Sequence, residues 1–211
     1  MIPVISAILA HPRKPGRFVI TVDAVSAGLL DAEGIERLGL RVGMPLDSSL
    51  QAAVERESQF TATFDRAANM LAHRSRSVAE LRRQLMAKRE PPHAIERAIE
   101  RLTELGALDD GRFARQFVRT RAVDRAQSRR RIHAELARRG VDRRVADAAV
   151  ADVFADEAID EAAALDRLAL KKLRMLDRCD QATRRRRLFG FLARRGYEPG
   201  AIRDVLARLV V

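Results

Sequence analysis

Apolar residues follow two patterns along this chain. Up to about residue 45 they cluster in β-branched runs, VISAIL (4–9) and RFVITVDAV (17–25), separated by HPRKPG. Such runs, bounded by prolines and a glycine, predict a β-hairpin, with a third short strand near Ala27–Leu30. A short helix over about 31–38 and the segment GLRVGMPL (39–46) follow. Two or three strands alone are marginal in water, so this piece must lean on a neighbour. From Ser48 onward the period is helical. Leu81 and Leu85, Ile95 and Ile99, Phe113 and Phe117, Ile132 and Leu136, and Leu188 and Leu192 are apolar pairs at i,i+4. Ser48 with Gln51, and Ser77 with Glu80, have capping-box spacing. Breaks fall at Pro91-Pro92, Gly106, Gly140, Gly196 and Pro199.

The helical part repeats itself. VAELRRQLMAKREPPHAIERAIERL (78–102) lies over RRIHAELARRGVDRRVADAAVADV (130–153), shifted by 51. The latter lies over RRLFGFLARRGYEPGAIRDVLARL (186–209), shifted by 56. Leu81, Ile132 and Leu188 then coincide, as do Leu85, Leu136 and Leu192, then Ile99, Val150 and Leu206, then Leu102, Val153 and Leu209. The phrase LARRG recurs at 136–140 and 192–196. Each unit reads as a leading helix, a basic middle helix, a turn and an amphipathic closing helix. Tandem units of this kind bury faces against neighbours. The alternative is chance similarity among Arg/Ala/Leu-rich helices. The expected fold is mostly α: three-helix repeats over 61–110, 111–157 and 158–211 in an elongated, curved array, preceded by a small β-containing segment over 1–60.

Charge sharpens this division. The 211 residues carry a net charge of +11. Residues 1–60 hold six basic and seven acidic side chains, whereas the rest holds 34 and 22. The excess therefore belongs to the helical part, and it suits an acidic partner: nucleic acid, anionic lipid or an acidic protein. No apolar run approaches the roughly 20 residues of a membrane span. The first residues lack the basic start of a signal peptide. One cysteine, Cys179, excludes an internal disulfide. The expected setting is the cytoplasm.

Two adjacent aspartates, Asp109 and Asp110, stand between helical runs and raise the question of catalysis. Neighbours on a helix point about 100° apart and cannot face each other as a carboxylate pair. Gly106 fits a helix stop, Asp109 an N-cap, and Asp110 the positive first turn. The four histidines show no metal-ligand spacing. No phosphate-binding glycine loop and no GxSxG elbow occurs. Cys179 lies in LDRCDQ among aspartates, which does not favour a thiolate. The sequence thus offers no catalytic constellation and calls for no cofactor or metal.

What remains is arginine, 36 of the 40 basic residues. Arg112, Arg115 and Arg119 form one helical stripe opposite Phe113 and Phe117, and Arg121 ends that helix. Arg129, Arg130 and Arg131 precede the middle helix of the second unit, and Arg138 and Arg139 close it. Arg184 to Arg187, including Arg185 and Arg186, and then Arg194 and Arg195 do the same in the third unit. Arg74, Arg76, Arg82 and Arg83 do so in the first. Corresponding basic residues on successive units would form a stripe along a polyanion, each contact releasing counterions. With little aromatic interleaving, backbone contact fits better than base stacking. The bland alternative is a solvated arginine face.

The ordered set LxxRxRSxxELxxQL (71–85), GALDDGRFARQFVRTR (106–121) and RRIHAELARRGV (130–141) resembles the RecX family of RecA regulators, over about residues 60–211. Asp109, Asp110, Phe113, Ala114, Arg121, Ile132, Glu135, Leu136 and Gly140 match its motif, and several are core or cap positions. The resemblance implies a non-enzymatic regulator, most simply a monomer. Such a regulator binds the groove of RecA filaments on single-stranded DNA, with duplex DNA as a further open partner. It damps recombinase, ATPase and SOS coprotease activity in DNA repair. One departure is Arg89-Glu90-Pro91, where a glycine turn is common. The competing class is a helical DNA-binding module that acts without RecA; a third is a scaffold for proteins alone.

Overall fold

A computed structural model describes residues 3–210. The chain is mostly helical, with ten α-helices and one three-stranded sheet among the described residues. It divides into two compact units: residues up to 76 with 80–108, and residues 77–79 with 109 onward.

In the first unit, β1 (Ile5–Ala10), β2 (Arg17–Val22) and β3 (Val25–Asp31) form an antiparallel meander. Ile8 pairs with Ile20, and Phe18 with Leu30. The stretch RFVITVDAV is not one strand. Asp23 and Ala24 have φ values of 46° and 68° and turn the chain into β3. A two-residue hairpin of the mirror-image type needs that left-handed pair. α1 (Ala32–Arg37) and α2 (Ser48–His73) follow. The sheet leans on α2: Ile5, Ile20 and Leu30 share a core with Val54. The cap of α2 is Asp47, one residue before Ser48, because its carboxylate accepts from Leu50 N at 2.8 Å. α3 (Val78–Ala87) and α4 (Pro92–Glu104) follow. Leu81 and Leu85 are fully buried, and Ile95, Ile99 and Leu102 nearly so.

The second unit holds α5 (Asp110–Arg119), α6 (Arg129–Arg139) and α7 (Arg143–Asp156), then α8 (Glu161–Arg174), α9 (Gln181–Arg194) and α10 (Pro199–Leu209). α5 stops at Arg119, so Arg121 does not end it. A π-helical turn, Thr120–Asp124, comes next. Ile132, Leu136, Leu188 and Leu192 are fully buried, and Val150, Val153 and Leu206 almost so. Of the matched apolar positions only Leu209, in the last helical turn, is merely half-buried.

Aspartates account for most helix starts. Asp109, Asp142, Asp160 and Asp180 each accept a backbone N–H at the head of a helix, as Ser128 does for α6. Each cap stabilises by about 1 kcal/mol. Asp110 reaches further: Val78 N donates to its Oδ1 at 2.8 Å, so it serves the start of α3 as well as the first turn of α5.

Each middle helix ends in a left-handed residue at one matched position: Arg89 (φ 60°), Gly140 (φ 79°) and Gly196 (φ 92°). In each case the next N–H reaches back to a buried leucine carbonyl: Glu90 to Leu85, Val141 to Leu136, Tyr197 to Leu192. The unusual Arg89-Glu90-Pro91 therefore makes the same turn as its glycine counterparts. A left-handed L-residue costs about 1–2 kcal/mol, against about 0.5–1 kcal/mol for the extra unfolded freedom of glycine.

Opposite substitutions at this turn have opposite signs. Arg89→Gly raises unfolding free energy by about 0.5–1 kcal/mol. Gly196→Ala lowers it by about 2–4 kcal/mol, because a Cβ there meets Arg131 Cβ at 2.3 Å and Ser128 Oγ at 2.6 Å. Denaturant unfolding of the full chain checks both.

Tyr197, the sole tyrosine in a chain without tryptophan, is buried, and its hydroxyl donates to Ala126 O at 3.0 Å. Burial, helped by the Glu161 carboxylate, pushes its phenol up from 10.0 to about 12. A raised folded value means stability that is present below pH 10 and lost as pH rises to about 12. Phenolate absorbance is therefore expected to appear near pH 12 in the native protein and near pH 10 in denaturant.

Candidate functional site

The acidic pair is structural. Asp109 accepts from Arg112 N at 3.0 Å, and that N–H holds its carboxyl below the usual range, with the Arg112 and Arg115 charges helping. No group of three or more His, Cys, Asp or Glu that could hold a metal occurs among the described residues. Phe113 and Ala114 are buried with Ile132 and Leu136 in the core of the second unit, and Gly140 supplies the turn. Cys179 is half-buried, with Arg187 Nη1 3.5 Å from its sulfur.

The arginines separate into two groups. Many are tied to the fold. Arg82 grips Glu96 through two contacts of 2.8 and 2.7 Å, and this hydrogen bonding raises the arginine and lowers the glutamate from their ordinary values. Arg119 pairs with Glu157 at 2.7 Å. Arg121 and Arg131 converge on the Glu135 carboxylate at 3.1 and 3.0 Å. Both contacts are poorly aligned as hydrogen bonds and act as ion pairs. The Arg121 side chain is only 15% exposed, and it lies 4.7 Å from the Phe117 ring, with Arg139 at 4.8 Å. Arg129 stacks on Phe154 and faces Glu161. Arg185 donates to Val210 O, and Arg195 lies over Phe191. Arg184 donates to the carbonyls of Leu176 and Asp177. Arg76 donates to Gln84, and Arg74 faces Glu80 at 3.8 Å.

The other group points into solvent. Arg115, Arg138, Arg186 and Arg194 are exposed and carry no ion pair among the described residues. Arg83 and Arg112 are exposed too and have interactions of their own. Arg130 is 62% exposed, and it pairs with Glu198 while donating to Gly196 O. In the repeat frame Arg130 matches Arg186, and Arg138 matches Arg194. The first repeat does not share these two: Ala79 and Ala87 stand there, and Arg82 and Arg83 occupy the positions of His133 and Ala134. A matched basic pattern thus belongs to the second and third repeats.

Exposed guanidiniums two turns apart on one helix, Arg130 and Arg138 on α6 and Arg186 and Arg194 on α9, can hold phosphates or carboxylates bidentately. The arrangement can bind and orient a polyanion. Sequence reading missed the split between the groups. Glu135 lies four residues after Arg131, a legible signal, but Glu157 and Glu198 are too distant in sequence to reveal their partners.

Comparison with known proteins agrees with this picture. Residues 64–102, 109–150 and 159–206 match the first, second and third three-helix domains of RecX. The regulatory protein RecX of Mycolicibacterium smegmatis is 38% identical over 143 residues, 65% of this chain and 74% of that one. Its counterpart in Pelodictyon phaeoclathratiforme is 36% identical over 145 residues, 69% of this chain and 87% of the relative. A crystal structure of a regulatory protein RecX shares the fold, with a TM-score of 0.76 and 22% identity over 97% of this chain and 98% of that one. RecX from Lactobacillus salivarius aligns at a TM-score of 0.58 and 19% identity, covering 72% and 96%. With all three repeats matched in order, the chain belongs to the RecX family of regulatory proteins.

Proposed function

We propose that this protein regulates RecA by binding in the groove of RecA filaments on single-stranded DNA, and that it lowers their recombinase, ATPase and coprotease activity. It does so as a non-enzymatic, cytoplasmic monomer without a cofactor, built from units at 61–110, 111–157 and 158–211 behind the 1–60 segment. Among the described residues no helix is long and apolar enough to cross a membrane.

The observation that carries this reading is the unpaired arginine set on the second and third repeats. An arginine spent on an internal carboxylate cannot neutralise a phosphate. Arg115, Arg138, Arg186 and Arg194 are not so spent, and two of them share one repeat position. Phosphate contacts made this way set position and orientation without reading bases. Together with membership of the RecX family, that favours a backbone-following regulator over a sequence-reading module.

Arg138→Glu with Arg194→Glu is expected to weaken binding to RecA assembled on single-stranded DNA and to cut the slope of log K against log salt by about 1 per arginine. Reversing Arg115 and Arg119 together also weakens binding, with the larger share from Arg115 because Arg119 is held by Glu157. Arg82→Ala, which removes a guanidinium already gripped by Glu96, leaves the slope unchanged. Affinity and slope unmoved by Arg138→Glu/Arg194→Glu would contradict the reading. Tight binding to bare DNA without any effect on RecA would favour an independent DNA-binding module instead.

A further inference from the structure

A groove of about 380 Å³ in the second unit lies between the π-helical turn after α5 and the start of α8. Its volume falls in the about 300–1,000 Å³ range of ligand clefts. Its apolar wall includes Ala122, Val123, Ile159 and Leu168. Val123 is 49% exposed.

The groove is lined by two carboxylates and two cations, and they differ in their partners. Both carboxylates are engaged: Glu157 pairs with Arg119 at 2.7 Å, and Asp160 accepts from Ala162 N and Ala163 N. The cations are Arg167 and Lys171, and neither has an ion pair among the described residues. They stand at i,i+4 on α8, where like charges destabilise a helix by a few tenths of a kcal/mol unless an anion lies between them. Leu170, just before Lys171, is 44% exposed.

We infer that this groove docks a segment of a protein partner that carries an apolar side chain flanked by carboxylates. The apolar side chain covers Val123, Ile159 and Leu168, and the carboxylates meet Arg167 and Lys171. Nucleic acid fits the site poorly. A sugar–phosphate chain would leave the apolar wall wet, and the groove has no aromatic ring on which a base could stack. A second copy of this basic chain would bring the wrong sign of charge. This surface is separate from the phosphate-facing arginines. It deepens the filament reading and rests on it, by assigning protein contact to one face and DNA contact to another.

The test uses the full chain, RecA assembled on single-stranded DNA, and the same oligonucleotide bare, in one buffer. Val123→Glu puts a charge on the apolar wall that the partner's apolar side chain would cover. It is expected to weaken filament binding about tenfold while leaving bare-DNA affinity within about twofold. Arg167→Glu/Lys171→Glu, at two exposed positions that do not threaten the core, is expected to weaken filament binding at least as much. If wild type binds filaments and both variants bind them equally well, the groove is not a docking site. Parallel losses on filament and bare DNA would assign the face to nucleic acid and overturn the proposal. Failure of the wild type to bind filaments would overturn the filament reading, and this inference with it.

Discussion

A helix commonly ends in a residue of positive φ, which lets the chain reverse tightly. In all three repeats one position does this, filled by Arg89, Gly140 and Gly196, and the closing helix begins three residues later. The turn also serves the second unit's assembly. Ser77 Oγ donates to the carbonyl of Arg139, the residue before Gly140, at 2.7 Å. Ser128 N donates to the carbonyl of Arg195, the residue before Gly196, at 3.0 Å. Ser77 and Ser128 occupy the same repeat position, and both are buried. In the third repeat that position is Arg184, which donates instead to Leu176 O and Asp177 O.

Arginine does two jobs in this protein, and burial separates them. A buried carboxylate is expensive unless charged partners surround it. Glu57, with its side chain 5% exposed, is held by Arg37 and by Arg97, whose guanidinium stacks on Phe60 at 3.8 Å. Glu135 is held likewise by Arg121 and Arg131. These arginines stabilise the fold, and truncating one would leave a buried carboxylate with a single cation. The exposed set does nothing comparable for the fold, which leaves its charge available for the proposed partner.

The apolar period made the helices legible. Leu81, Ile132 and Leu188 announced the repeat because i,i+4 spacing and burial are locally determined. The reading of Asp109 as a cap held for the same reason: capping depends on three residues. It could not foresee that Asp110 would also serve Val78, a contact 32 residues away. Nor did it separate Arg119 from Arg121, although a spacing of two turns them about 200° apart on a helix: Arg119 is 62% exposed and Arg121 15%. Which arginines were available to a partner was therefore hidden until their acidic neighbours were placed.

The most direct test of the central claim is RecA ATP hydrolysis on single-stranded DNA, with this protein titrated in well below the RecA concentration. Loss of hydrolysis at substoichiometric protein is the predicted result, because a groove-bound regulator acts on a filament rather than on individual phosphates. Hydrolysis that persists until the protein is abundant enough to cover all the DNA would contradict the account and reduce the protein to a competitor for DNA.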